Sequence, residues 1–197
     1  MYLFGASGHA KVIVDILLSQ GRKVTAFFDE DESKKALWNI PVKGKTKDFV
    51  NNGIECIVSI GNNSIRKKVV EQLEASFGTG IHSTAVLGSK VNIGEGSVVM
   101  PRVVINAETS IGKHVIVNTA AGIDHDCLIG DYAHIAPNAS LCGGVEVGEG
   151  TLVGAGATII PLVKVGQWCT IGAGAVVTQD IPDHCTVVGN PARIIKQ

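Results

Sequence analysis

Counting in steps of six from Leu87 to Val177 meets sixteen positions, and every one is Leu, Ile or Val. The fifth place of each hexad is small or β-branched, from Val91, Ser97 and Thr109 through Cys127, Thr151 and Cys169 to Ala175. An α-helix asks for a period of about 3.6 and a half-buried strand for a period of 2, so neither imposes this register. A coiled wall of short parallel strands does. Each hexad then forms one flat side of a triangular prism and points its aliphatic residue at the axis. The fifth residue turns inward near a corner, where little room remains. Three hexads close a coil, which predicts just over five coils. Glycine follows the aliphatic residue at Gly88, Gly94, Gly112, Gly130, Gly148, Gly154, Gly166 and Gly172, and this predicts corners that use a positive φ.

Residues 1–85 follow a different grammar. Met1–Phe4, Val24–Phe28 and Ile54–Ile60 are apolar runs that read as strands. Between them His9–Ser19 carries Ala10, Val12, Ile13, Ile16 and Leu17 at helical spacing, and Gly21 closes it. Ser64–Ala75 reads as a second helix capped by Asn63 or Ser64. Strand–helix–strand order predicts a small Rossmann-like parallel sheet. The expected organisation is therefore an α/β domain over 1–85 and a parallel β-helix over 86–197.

The remaining composition narrows the function. A net charge of −1 gives no electrostatic footprint for nucleic acid or an anionic membrane. No apolar run is long enough to insert stably in a bilayer. The start, Met1-Tyr2-Leu3-Phe4-Gly5, lacks the basic segment of a signal peptide. The five cysteines stand singly, so a reduced, cytoplasmic protein is expected.

Chemistry-bearing residues are few. His125 lies in Ile123-Asp124-His125-Asp126-Cys127, the third place of its hexad, and so at an outward corner. Asp126 could take one ring N–H and leave the other nitrogen as a base, with Asp124 competing for the role. A solvated corner histidine fits the same spacing. Cys127 occupies an inward fifth place and is no nucleophile. His134 ends the following hexad and is expected to face outward. The turn Gly5-Ala6-Ser7-Gly8, between a strand and a helix, offers backbone N–H groups to a phosphate, although such turns also occur without a ligand. Asp29 and Glu30 close the second strand, where acids reach a nucleotide ribose or base. The spacings from His114 to His125 and from His125 to His134 match no metal-ligand set, which leaves a zinc hydratase poorly supported.

The unbroken hexads, together with Gly5-Ala6-Ser7-Gly8-His9, Ile60-Gly61-Asn62-Asn63 and Gly189-Asn190-Pro191-Ala192, resemble the bacterial nucleotide-sugar acetyltransferases of the left-handed β-helix class. Within that class the chain is most similar to the bacillosamine-pathway N-acetyltransferases and the sialic-acid O-acetyltransferases. The resemblance implies a left-handed coil, a homotrimer, and acetyl-CoA bound between adjacent prisms. Apolar residues at outward positions, Val104 and Ile160, fit self-association. It further implies His125 as the catalytic base with Asp126 orienting it, where relatives usually carry the longer Glu. Ser7, Gly8, His9, Asp29, Glu30, Gly61, Asn62 and Arg66 are implied to bind a UDP-amino sugar. Asn118, His134, Gly143, Ala155 and Ala173 are implied to bind acetyl-CoA, with no metal needed. The expected reaction is N-acetylation of the sugar's 4-amino group; O-acetylation and non-catalytic UDP-sugar binding are the alternatives.

Overall fold

A computed structural model describes all residues from Met1 to Gln197. Tyr2–Phe4 forms the centre of a three-stranded parallel sheet, flanked by Ala26–Phe28 and Cys56–Val58. Leu3 stands opposite both Phe27 and Ile57. All nine strand residues are buried, as expected for a parallel sheet covered on both faces. Helix α1 (Gly8–Ser19) buries Ala10, Ile13, Val14, Ile16 and Leu17. Helix α2 (Asn63–Glu71) starts one residue earlier than its sequence signal, because Asn62 is the cap: its side chain accepts from the Ile65 amide at 3.0 Å. A two-stranded hairpin, Ala36–Leu37 with Ile40–Pro41, lies in the connection that follows the second strand.

The rest of the chain coils into a triangular prism of two-residue strands. One wall stacks Gly80–Ile81, Val98–Val99, Ile116–Val117, His134–Ile135, Leu152–Val153, Thr170–Ile171 and Thr186–Val188 in parallel. The other two walls carry six and five strands. This is a left-handed parallel β-helix. The wall begins at Gly80, ahead of the hexad register, because Gly80 and Ile81 pair with Val98 and Val99. Helix α1 closes the open end there: a Cβ on Gly80 would sit 3.3 Å from Ile16 Cγ2. One cluster of 41 buried residues therefore runs from Leu3 through α1 into the prism and on to Val187. Each buried Leu, Ile or Val contributes about 1.5–3 kcal/mol, so the α/β unit and the prism stabilise one another.

The glycines after the aliphatic positions do not adopt positive φ. That conformation falls on the fourth place of the hexad, where Lys90, Arg102, Glu108, His114, Ala120, Asp126, Tyr132, Asn138, Leu162 and Trp168 have φ between 53° and 64°. The repeated coil geometry thus forces even a bulky Trp into the left-handed region, which is ordinarily disfavoured. The recurrent glycines serve close approach instead. A Cβ on Gly94 would lie 2.6 Å from the Gly112 carbonyl carbon, and one on Gly148 would lie 2.5 Å from the Gln167 nitrogen.

Candidate active site

The corner at His125 is built from inside the prism. Thr109 fills an inward fifth place, fully buried. Its hydroxyl donates to the Asp124 carbonyl at 2.6 Å and accepts from the Cys127 amide at 3.1 Å. That pair of bonds holds both ends of the corner. Ile123 and Cys127 point inward and are buried; His125 and Asp126 project into solvent, each side chain 59% exposed. Asp126 adopts φ 58°, which swings its carboxylate back to the ring, and His125 Nδ1 lies 2.7 Å from Asp126 Oδ2. The shorter Asp therefore reaches the imidazole. Asp124 does not compete: its Oδ1 accepts from the His125 amide at 2.9 Å and from Asn106 Nδ2 at 2.8 Å. The Asp126 hydrogen bond, with the Asp124 charge behind it, raises the His125 pKa above the usual 6.5.

The next coil supplies the floor under the ring. Gly143 is buried, and a Cβ there would lie 2.7 Å from His125 Cε1 and 2.8 Å from Nε2. Only glycine leaves that space, next to the nitrogen that Asp126 leaves free. Cys142, Gly144, Pro161 and Leu162 complete the hollow. Cys142 and Leu162 were not singled out by sequence reasoning; as outward corner residues one or two coils beyond the histidine, the hexad count could have found them.

His134 lies elsewhere, on the wall that faces the α/β unit. Its Nε2 is 3.0 Å from Asn118 Nδ2, and Asn118 Oδ1 accepts from the Thr119 amide at 2.8 Å. The Asn118 amide group therefore donates, and the ring nitrogen accepts. Gly61 lines the same groove as this imidazole. Burial, with the Arg66 charge adding to it, pushes the His134 pKa down to about 4, so the ring is neutral. Ala155 and Ala173 are exposed at one prism corner and stack a coil apart, through the Gly174 amide bond to the Ala155 carbonyl at 2.9 Å.

Arg66 is not placed to touch a substrate. It is 1% exposed and spends its guanidinium on protein acceptors: the carbonyls of His114 (2.8 Å), Ile60 (3.0 Å), Gly61 (3.2 Å) and Tyr132 (2.6 Å), and Asn63 Oδ1 (2.9 Å). It is a strut that fixes the Ile60–Gly61 turn against the prism beside His134. Sequence spacing could not separate this role from ligand contact, since the acceptors lie up to 67 residues away.

The remaining predicted residues gather on the α/β unit. Ser7, His9, Asp29, Glu30 and Gly61 line one cavity of about 340 Å3 with Phe28, Lys34, Thr46 and Ile65. A Cβ on Gly8 would meet nothing within 4 Å, so the start of α1 is open. Burial favours the neutral form of Asp29, but the Ala6 amide (2.6 Å), Lys34 and the Asp31 amide outweigh it and hold the carboxyl below its usual range. Glu30 accepts from the Thr46 amide at 3.1 Å. His9 is pushed down to about 4, first by burial and then by His134 and Arg66. Gly61 and Asn62 also border a second groove, which His134, Leu152 and Trp168 floor. The two hollows thus adjoin across Gly61. His125 lines neither of them.

A triangular parallel β-helix that exposes a histidine–carboxylate pair at a corner, behind an α/β unit with an open helix start, has the architecture of a hexapeptide-repeat acyltransferase. Known proteins bear this out. Residues 1–73 match the PglD N-terminal domain, and residues 126–161 and 144–179 match the bacterial transferase hexapeptide (six repeats). The chain is 37% identical to PerB from Caulobacter crescentus, solved in complex with CoA and GDP-perosamine, with a TM-score of 0.89 over 99% of this chain and 96% of that one. It is 37% identical to the acetyltransferase domain of PglB from Neisseria gonorrhoeae, solved in complex with acetyl coenzyme A, with a TM-score of 0.91 over 98% of each chain. It is also 38% identical over 107 residues to the UDP-N-acetylbacillosamine N-acetyltransferase of Bacillus subtilis; that match spans half the length of each. The chain belongs to the hexapeptide-repeat nucleotide-sugar acetyltransferases.

Proposed function

We propose that the protein transfers the acetyl group of acetyl-CoA to the 4-amino group of a UDP-linked amino-dideoxy sugar, as in diacetylbacillosamine-type synthesis. The observation that carries this reading is His125: exposed, tied through Nδ1 to Asp126 at 2.7 Å, and poised with Nε2 over the space that Gly143 leaves. In the proposed reaction the amine nitrogen attacks the thioester carbonyl while His125 Nε2 takes the amine proton. Asp126 keeps the proton on Nδ1 and stabilises the imidazolium that forms. A backbone N–H at the Gly143 turn supports the oxyanion. The C–S bond then breaks, and the proton passes from His125 to the departing CoA sulfur. No covalent acyl-enzyme is needed. Sugar nucleotide lies on the α/β unit at Ser7, Gly8, His9, Asp29, Glu30, Gly61 and Asn62. Acetyl-CoA runs past Asn118, His134, Gly143, Ala155 and Ala173.

His125 shares no hollow with the sugar-nucleotide cavity of its own chain, and this supports a homotrimer in which the histidine of one prism serves the α/β unit of the next. The outward apolar residues Leu162 (76% exposed) and Leu128 (52%) fit such a seam. No helix is long and apolar enough to cross a membrane; a cytoplasmic location belongs to the same reading.

The test is CoA-thiol release with purified protein, offering UDP- and GDP-linked sugars that carry either a 4-amino or a 4-hydroxyl group. Thiol release with the UDP-linked amine alone is expected. Equal turnover of the hydroxyl sugar would make the protein an O-acetyltransferase, and no release with any acceptor would leave it a binding module.

A further inference from the structure

The charge pattern around the start of α1 points to a residue that neither the motifs nor the family resemblance single out. Four acids in a row, Asp29-Glu30-Asp31-Glu32, follow the second strand, and the first two line the cavity at the start of α1. A sugar diphosphate entering there meets carboxylates, and Coulomb repulsion opposes it. The backbone helps only in part. The Ala6 amide is already committed to Asp29 Oδ2 at 2.6 Å, which leaves the amides of the first turn of α1. That turn has no side-chain cap, and Ser7 Oγ instead accepts from Lys34 Nζ at 2.9 Å. Lys34 also bonds Asp29 Oδ2 at 2.9 Å and is the one Lys or Arg lining the cavity. A second group waits unsatisfied in the same wall, since His9 Nε2 is buried with no hydrogen-bond partner.

We infer that Lys34 is the diphosphate-binding cation of this protein. It sits between Ser7 and Asp29 in the empty cavity, and turns its ammonium onto the diphosphate oxygens when the nucleotide sugar enters. The inference rests on the sugar-nucleotide reading above and deepens it. It makes the site selective for a diphosphate linkage, because a ligand without phosphate gives Lys34 no reason to leave Asp29. The side chain is 30% exposed, so it can swing without repacking the core. The other lysines of this loop do not substitute: Lys45 is paired with Glu32, and Lys35 bonds the Glu32 carbonyl at 2.8 Å.

The test is isothermal titration of UDP, GDP, uridine and guanosine into wild-type protein, Lys34→Met and Lys34→Arg, beside steady-state kinetics with the preferred amino sugar. One charge-assisted contact to phosphate is worth about tenfold or more in affinity. Lys34→Met is expected to bind the preferred nucleoside diphosphate at least about tenfold more weakly, with the matching nucleoside unchanged. The KM for the sugar nucleotide rises while the KM for acetyl-CoA stays, and Lys34→Arg recovers most of the loss. Unchanged diphosphate affinity in Lys34→Met overturns the inference. So does an equal loss for nucleoside and diphosphate, which would make Lys34 a mere brace for the loop. Wild-type protein that binds no nucleotide, yet releases CoA thiol with another acceptor, overturns the sugar-nucleotide reading itself.

Discussion

Gly143→Ala isolates the position of the His125 ring from its chemistry. The φ of Gly143 is not in the left-handed region, unlike that of Gly144 at 69°, so alanine imposes no backbone strain. The added methyl would lie 2.7 Å from His125 Cε1, where ordinary contact begins near 3.4 Å. The exposed imidazole must recede by about 0.7 Å or rotate, and either motion loosens its bond to Asp126. Displacements approaching 1 Å cost about 100-fold in rate, so kcat is expected to fall about 10- to 100-fold. The Gly143 N–H survives the change, and oxyanion support with it. Stability should hardly move, because a half-free side chain gives way rather than the backbone. Thiol-release kinetics beside a thermal melt read both quantities. A variant with kcat within twofold of wild type would show that the ring does not work from the place the structure gives it.

Two further outcomes follow from charge. Asp126 raises the His125 pKa and the base must be neutral to act, so the acid limb of the pH–rate profile lies above the ordinary imidazole value. Asp126→Asn should lower kcat and move that limb to lower pH; a limb that stays put would remove Asp126 from the site. His9, His114 and His134 are each held near pH 4 by burial, against 6.5 when exposed. Between those values the unfolded chain binds protons that the native protein does not. Their contribution is complete above pH 6.5 and is lost on acidification towards pH 4, at up to about 1.4 kcal/mol per pH unit for each ring. Urea unfolding at a series of pH values checks this, and a flat profile from 6.5 to 4 would refute it.

The prism was legible because its constraint is local and repeated: one residue in six must face the axis. The same count placed Cys127 inside and His125 outside. It assigned the glycines the wrong conformation, because the left-handed bend belongs to the fourth place, which Asp126, Tyr132 and Trp168 occupy against their intrinsic preference. That cost is borne by the stacked ladder and leaves no compositional trace. The burial of Arg66 was not legible, for the opposite reason. Its partners come from three separate coils and turns, so its sequence neighbourhood describes a surface helix while its environment is the interior. Lys34 was overlooked because a lysine after four acids reads as a solvated face until the fold sets Ser7 beside it. His114 stands at a corner position of its hexad yet is an interior residue, packed edge-on to Phe77 and stacked on Tyr132 with its Nδ1 unpartnered.

The proposed acetyl transfer turns on the free nitrogen of His125 receiving a proton from the acceptor amine. Replacing His125 with Ala and measuring turnover, with acetyl-CoA binding followed by titration in the same preparation, addresses that step most directly. Loss of a general base costs about 10²- to 10⁴-fold, so the variant should bind acetyl-CoA normally and acetylate the amino sugar that much more slowly. Acetylation at near the wild-type rate would contradict the assignment of His125 and of the corner it occupies.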